Sequence, residues 1–326
     1  MSLRRHVIPA IALAAASALA LAGCSASAPE PGPSDDGRVS VVAVTDVYGD
    51  IAAQIGGDRV DVVSIVSGPA VDPHEYEAST RDQLAIAEAD LVILNGGGFD
   101  DFMDRLVDAS GTGAIVIDAV EASGLLPEDA DEHGEADEHE HEHAEGEEHH
   151  HIEGFNEHVW YSLHGMEHIA EAIEAALVEL DPEGAAQIEA NAATFLDGLE
   201  TIHARAHEVE EELGGGDVVT TEPVSGYLLA DLGLVNVTPA EFLEAVEAGT
   251  GVGVGLLDQV MSLVQGPGIR MLAENTQSAG PEAEQISAAA KGAGVPVVAF
   301  SETLPSGEDY LSWMSANIEA VASALA

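Results

Sequence analysis

Histidines and carboxylates carry whatever chemistry this sequence offers. Seven of its fourteen histidines, His133, His139, His141, His143, His149, His150 and His151, stand with thirteen carboxylates in the 26 residues 128–153. Neutral imidazole is a preferred ligand of zinc and its neighbours. Ile152 is the one large apolar residue there, so the stretch cannot build a core and reads as an auxiliary metal-collecting loop of weak, interchangeable sites. Outside it, His74 follows Asp72-Pro73 in the turn after a strand-like run, and His158 stands in Asn156-Glu157-His158-Val159-Trp160 before a helix. Ligand sites in open α/β sheets lie at the carboxyl ends of strands, which suits His74.

Two other patterns are weaker. His164-Gly165-Met166-Glu167-His168 fits H-x-x-E-H, a zinc-protease spacing. At about 100° per residue, Met166, Ile169, Ile173 and Leu177 share one stripe, which puts His164, Glu167 and His168 on the opposite, wet face. His203 and His207 share a polar helix face with Glu200, Glu210 and Glu211, and the Gly249–Gly255 run lacks the G-x-G-x-x-G spacing of a phosphate cradle.

The elements that must position these residues follow from hydrophobic pattern. Val39–Val44, Val60–Val66, Leu91–Leu94 and Ala114–Ile117 are short β-branched runs, with helical patterns at Val47–Ile55, Arg81–Ala89 and Phe99–Val107 between them. The alternation resumes with strands at Val218–Thr220, Val235–Val237, Ile269–Ala273 and Val295–Phe300 and helices at Ser225–Asp231, Leu256–Val264, Pro281–Ala293 and Tyr310–Ala324. Alternating strands and helices imply parallel sheets. A polar stretch with helical spacing separates the halves. The expected fold is α/β, two Rossmann-like lobes with parallel sheets (38–182 and 214–326) joined by a single long helix (183–213).

Composition narrows the partners. The chain of 326 residues has 9 Lys+Arg against 60 Asp+Glu, a formal net charge of −51. Nine cations cannot build the basic face that a nucleic acid requires, whereas such a field attracts metal cations. With 46% hydrophobic residues the chain is not disordered as a whole. Arg4 and Arg5 precede the apolar run Val7–Ala22, an arrangement of signal-peptide type spanning 1–23. The run ends in Leu21-Ala22-Gly23-Cys24, which resembles a bacterial lipobox, and Cys24 is the only cysteine. Cys24 is therefore the expected lipidation site, 24–37 a flexible linker, and the location extracytoplasmic, lipid-anchored to the cell membrane.

Four separated blocks resemble the zinc- and manganese-binding lipoproteins that serve ABC importers as solute-binding proteins. They are Asp72-Pro73-His74-Glu75-Tyr76 with Thr80-Arg81-Asp82 and Asn95-Gly96; Asn156-Glu157-His158-Val159-Trp160 after the His-rich stretch; Thr221-Glu222-Pro223-Val224-Ser225-Gly226-Tyr227; and Phe300-Ser301-Glu302-Thr303-Leu304 with Tyr310-Leu311. The resemblance implies two lobes on one rigid helix with the metal in the cleft between them. His74 and His158 would come from one lobe, Glu222 and Glu302 from the other. Family members usually carry Pro at the position of Glu157 and Asp at that of Glu302; at Glu222, zinc members usually carry His and manganese members often Glu. Two imidazoles and two carboxylates would leave a divalent ion without net charge. The resemblance implies capture of Zn²⁺, with Mn²⁺ the alternative, and delivery to an ABC permease without catalysis. A metal-buffering or adhesin-like surface lipoprotein and a zinc metallohydrolase are the rival readings.

Overall fold

The computed structural model describes residues 37–69, 71, 73–74, 76–127, 152, 154–278 and 280–326. The signal, Cys24 and most of the linker lie outside them, as do the seven clustered histidines.

Burial separates central from edge strands. In the first lobe β1 (Val39–Thr45) and β3 (Leu91–Leu94) are apolar and almost wholly buried, whereas β2 (Val60–Val66) interleaves Asp61 and Ser64, and β4 (Ile115–Asp118) exposes Val116. All pair in parallel in the order β2-β1-β3-β4. A strand covered on both faces reads as a continuous hydrophobic run, and an edge strand does not. The helices of this lobe are α1 (Asp46–Gly56), α2 (Thr80–Ala87), α3 (Asp101–Ser110), the single turn α4 (Ala119–Ala122) and α5 (Leu163–Leu180).

Next comes α6 (Ala185–Leu213), 29 residues long. Its buried residues Ile188, Ala192, Phe195, Leu199, Ile202, Ala206 and Val209 recur at alternating steps of four and three, one continuous apolar stripe. Gly214 ends it in the left-handed conformation. The second lobe holds β5 (Gly216–Thr220), α7 (Gly226–Asp231), β6 (Leu234–Asn236), α8 (Ala240–Glu247), α9 (Val254–Val264), β7 (Ile269–Asn275), α10 (Pro281–Ala293), β8 (Val297–Phe300) and α11 (Tyr310–Leu325). Its sheet is also parallel, ordered β6-β5-β7-β8. The two sheets thus share one topology although no sequence repeat is visible. The side-chain period of two is explicit here. Val218, Met271 and Ala273 point to the main core shared with α5, α6 and α11, while Val219 and Leu272 point to a smaller core with α8, α9 and α10.

The described residues therefore form two separate four-stranded sheets with one long helix between them. The helix α8 has no counterpart among the expected elements. No helix among the described residues is long and apolar enough to cross a membrane.

One loop of the first lobe stores titratable charge. Asp100 is fully buried and accepts the N–H groups of Asn95 (2.7 Å) and Gly96 (2.8 Å). Gly96 has φ +78°, and a Cβ there would run into the Asp118 carboxylate, so this turn requires glycine. Burial pushes Asp100 up to about 7, against those two hydrogen bonds, and pushes Asp118 up to about 6. Both pKa values exceed those of an unfolded chain, so the folded state binds more protons between roughly pH 4 and 7. This stability is fully present below about pH 4 and is lost as pH rises through 7. The expected result is an unfolding free energy that falls over this range, with a shallower slope in Asp100→Asn; denaturant titrations between pH 5 and 8 measure it, and equal slopes refute it.

Candidate metal centre

His74 is set by a local anchor. Ser79 caps α2 with a reciprocal capping box to Asp82, and the Tyr76 hydroxyl donates to the same Asp82 carboxylate at 2.9 Å. That ties down the chain two residues after His74. The imidazole lies edge-on to Phe99 at 4.8 Å between centroids. These contacts steer its Nε2 to 3.6 Å from Glu302 Oε2.

His158 is buried immediately before a single 3-10 turn (Val159–Tyr161), with its ring on Trp160 (5.1 Å) and Phe99 (5.8 Å). Its Nδ1 lies 2.8 Å from Asn156 Oδ1. An amide oxygen only accepts, so Nδ1 carries the proton and Nε2 is the nitrogen able to coordinate. The adjoining backbone is fixed as well, because Asn95 Nδ2 donates to Glu157 O at 3.0 Å.

Glu222 follows β5 and Glu302 follows β8. A side chain between them, Asn275 at the end of β7, donates from Nδ2 to Glu222 Oε2 and to Glu302 Oε1, and Ser278 Oγ also donates to Glu222. Gln277 Oε1 accepts the backbone N–H of Glu302 at 2.5 Å and of Thr303 at 3.0 Å. All these residues follow the carboxyl ends of parallel strands, where open α/β sheets place ligands.

The lobes are joined around this point by hydrogen bonds of 2.6–3.0 Å. Gln277 Nε2 donates to Val71 O, and Leu304 N and Tyr310 N donate to Asp46 and Asp50. Tyr161 OH donates to Ser301 O, Tyr310 OH to Trp160 O, Tyr227 OH to Asn156 O, and Asn156 Nδ2 to Pro223 O.

Among the described residues, two groups of side chains bring ligand atoms within 4.8 Å of one another: His74 with His158 and Glu302, and His74 with Glu157 and Glu247. A tetrahedral ion with bonds of about 2.1 Å holds its ligand atoms about 3.4 Å apart, close to the His74–Glu302 separation. Three of the four expected ligands thus converge, and Glu222 is held to Glu302 through Asn275. Sequence reasoning missed Glu247, the last residue of α8, and treated Glu157 only as a departure from the family's usual Pro. Burial and then the charges of Glu157, Glu222 and Glu302 push the Glu247 carboxyl well above the usual range, as expected where carboxylates crowd a cation position.

The decoys lie elsewhere. On α5, Met166, Ile169, Ile173 and Leu177 are fully buried, whereas His164 and His168 are exposed. His164 Nδ1 and His203 Nδ1 lie 3.4 and 3.8 Å from Glu167. His207 is exposed beside Glu210. A Cβ at Gly249, Gly251, Gly253 or Gly255 would meet open space, so no close backbone approach explains these glycines.

Known proteins share this fold. Over 176 residues the chain is 30% identical to the manganese-binding lipoprotein MntA of Halalkalibacterium halodurans, 54% of this chain and 51% of that one. It is 26% identical over 209 residues to the zinc-binding lipoprotein AdcA of Streptococcus pneumoniae, 62% of this chain and 39% of that one. The chain therefore spans about half the length, or less, of these relatives. A crystal structure of ZnuA superposes with TM-score 0.68 at 23% identity, over 89% of this chain and all of that one. The periplasmic zinc binding protein TroA from Treponema pallidum gives 0.69 at 17%, with the same coverage. Residues 41–324 match the family described as ZnuA, zinc-uptake complex component A, periplasmic, and the chain belongs to that family.

Proposed function

We propose that this protein captures a divalent metal ion, Zn²⁺ before Mn²⁺, and delivers it to the permease of an ABC importer without transforming it chemically. The observation that carries this reading is the convergence of His74, His158 and Glu302, with Glu222 bridged to them by Asn275, between two lobes. Two imidazoles and two carboxylates form a neutral set around a divalent cation, which lets the ion be held away from water. Four protein ligands leave no open position for an activated water, which argues against a metallohydrolase. The family match and the relatives named as lipoproteins support a transport role. Cys24 supplies the lipid anchor on this reading, and the chain works at the outer face of the cell membrane, or on its periplasmic side where an outer membrane exists. The seven histidines of residues 128–153 collect metal for the cleft.

Manganese has a specific point in its favour, the carboxylate Glu222 where zinc members usually carry His, and one relative is named as manganese-binding. Nitrogen donors and the Irving–Williams order still favour zinc. Paired titrations of the full chain with Zn²⁺ and Mn²⁺ are expected to give a zinc dissociation constant about tenfold or more below that of manganese. The reverse order would reassign the metal. Unchanged zinc affinity in both His74→Ala and Glu222→Ala would remove the assigned site.

A further inference from the structure

The second group of ligand atoms is not a duplicate of the first. It uses Glu157, buried beside His158, and Glu247, with His74 common to both groups. His74 Nε2 lies 4.0 Å from Glu247 Oε2 and 3.6 Å from Glu302 Oε2. One ring nitrogen has one lone pair and binds one ion at a time. The two groups are therefore alternative positions for a single ion, adjacent and pivoted on the same nitrogen.

Their surroundings differ. Glu302 is completely buried under Gln277 and Asn275. Glu157 and Glu247 line a cavity of about 430 Å³ together with Ile152, Gly154, Phe155 and Pro223. Ile152 and Gly154 are exposed, so this cavity reaches solvent. One imidazole and two carboxylates balance a divalent charge and leave coordination positions for water, as suits an ion not yet stripped of its hydration.

We propose that His74, Glu157 and Glu247 form an outer holding position for a divalent cation, from which the ion passes to the inner set by exchanging carboxylates while His74 stays attached. The inference rests on the metal-capture reading and adds to it a route. No bond is made or broken beyond ligand exchange: Glu157 and Glu247 release the ion as His158, Glu222 and Glu302 take it, and the remaining waters leave.

The test uses the full-length chain with the seven histidines of residues 128–153 changed to Asn, which silences weak binding there. Zinc association is followed by stopped flow in dilute buffer and in about 1 M salt, where charges are screened beyond about 3 Å. Glu157→Gln/Glu247→Gln is expected to slow association about tenfold at both salt concentrations. Charge steering alone alters rates by about 10-fold to 10³-fold but falls steeply with ionic strength, so slowing that vanishes in salt overturns the holding position. In a second arm, Glu222→Gln/Glu302→Gln is expected to keep a weakened zinc site that disappears when Glu157→Gln and Glu247→Gln are added. Residual binding indifferent to that addition also overturns the proposal. If Glu222→Gln/Glu302→Gln binds zinc with undiminished affinity, the metal-capture site itself fails, whatever the rates show.

Discussion

His158→Ala is expected to weaken zinc binding by about 10² to 10³. A zinc ion bound by four protein ligands is held by roughly 10–16 kcal/mol, on the order of 3–4 kcal/mol per ligand, and about 1.4 kcal/mol is a factor of ten. His158 carries at least that share because its nitrogen is already aimed. The ring is wedged between Trp160 and Phe99, and Asn156 fixes the tautomer. The adjoining Glu157 backbone is tied to Asn95, which holds the loop in place. Asn156→Ala removes the orienting acceptor but not the ligand, and the expected loss is about 10-fold to 100-fold. Competition titrations against a chelator of known affinity measure both variants. A His158→Ala protein that binds zinc like the parent would eliminate His158 as a ligand. A larger loss in Asn156→Ala than in His158→Ala would mean that the loop conformation, not the imidazole, makes the site.

The largest expected effect on stability comes from Trp160→Ala. The indole is fully buried and packs edge-on against Phe99 (4.9 Å) and Tyr48 (6.4 Å), with the Tyr161 ring tilted against it at 6.4 Å. Its backbone carbonyl receives the Tyr310 hydroxyl from the other lobe. Truncating a buried Trp costs about 3–5 kcal/mol, because the vacated volume closes only in part. At about 2–4 °C per kcal/mol for a protein near this size, the melting temperature without metal should drop by on the order of 10 °C. Trp160→Phe should recover part of it. Calorimetry decides the matter, and a drop of less than about 2 °C would mean that the ring is not a keystone of this core. Zinc affinity should fall as well, since the His158 ring loses the surface it leans on.

How much of this was legible in the residues depends on the kind of signal. All eight strands could be read, because β-branched runs such as Val39–Val44 and Leu91–Leu94 have no competing helical period, and the long apolar stripe of α6 marks itself. The helix α8 was missed. It follows Pro239, spans only eight residues, too few for a clear helical period, and leads into a glycine-rich run. Missing α8 meant missing Glu247, one acid among sixty, with neither a motif nor a histidine beside it to mark it. His74, His158, Glu222 and Glu302 stood in four ordered blocks and could be named. Asn275, Gln277 and Ser278, which orient the two carboxylates, could not. Their role depends on β7 ending between β5 and β8, and strand order is not written in local pattern. The decoy His164-x-x-Glu167-His168 was legible for the opposite reason, since helical period alone decides which face of α5 is wet.

A cleft stitched by Asp46, Asp50, Asn156, Tyr161, Tyr227, Gln277 and Tyr310, and braced along the 29-residue α6, has little freedom to gape. On the transport reading, a receptor in the membrane would then meet almost the same outline on a vacant chain as on a laden one. Vacant chains become competitors for the same seat. At a fixed supply of metal, import would climb with the abundance of this protein only until that metal is all bound. Beyond that, every further copy would displace cargo, and overproduction would starve the cell of the ion it gathers.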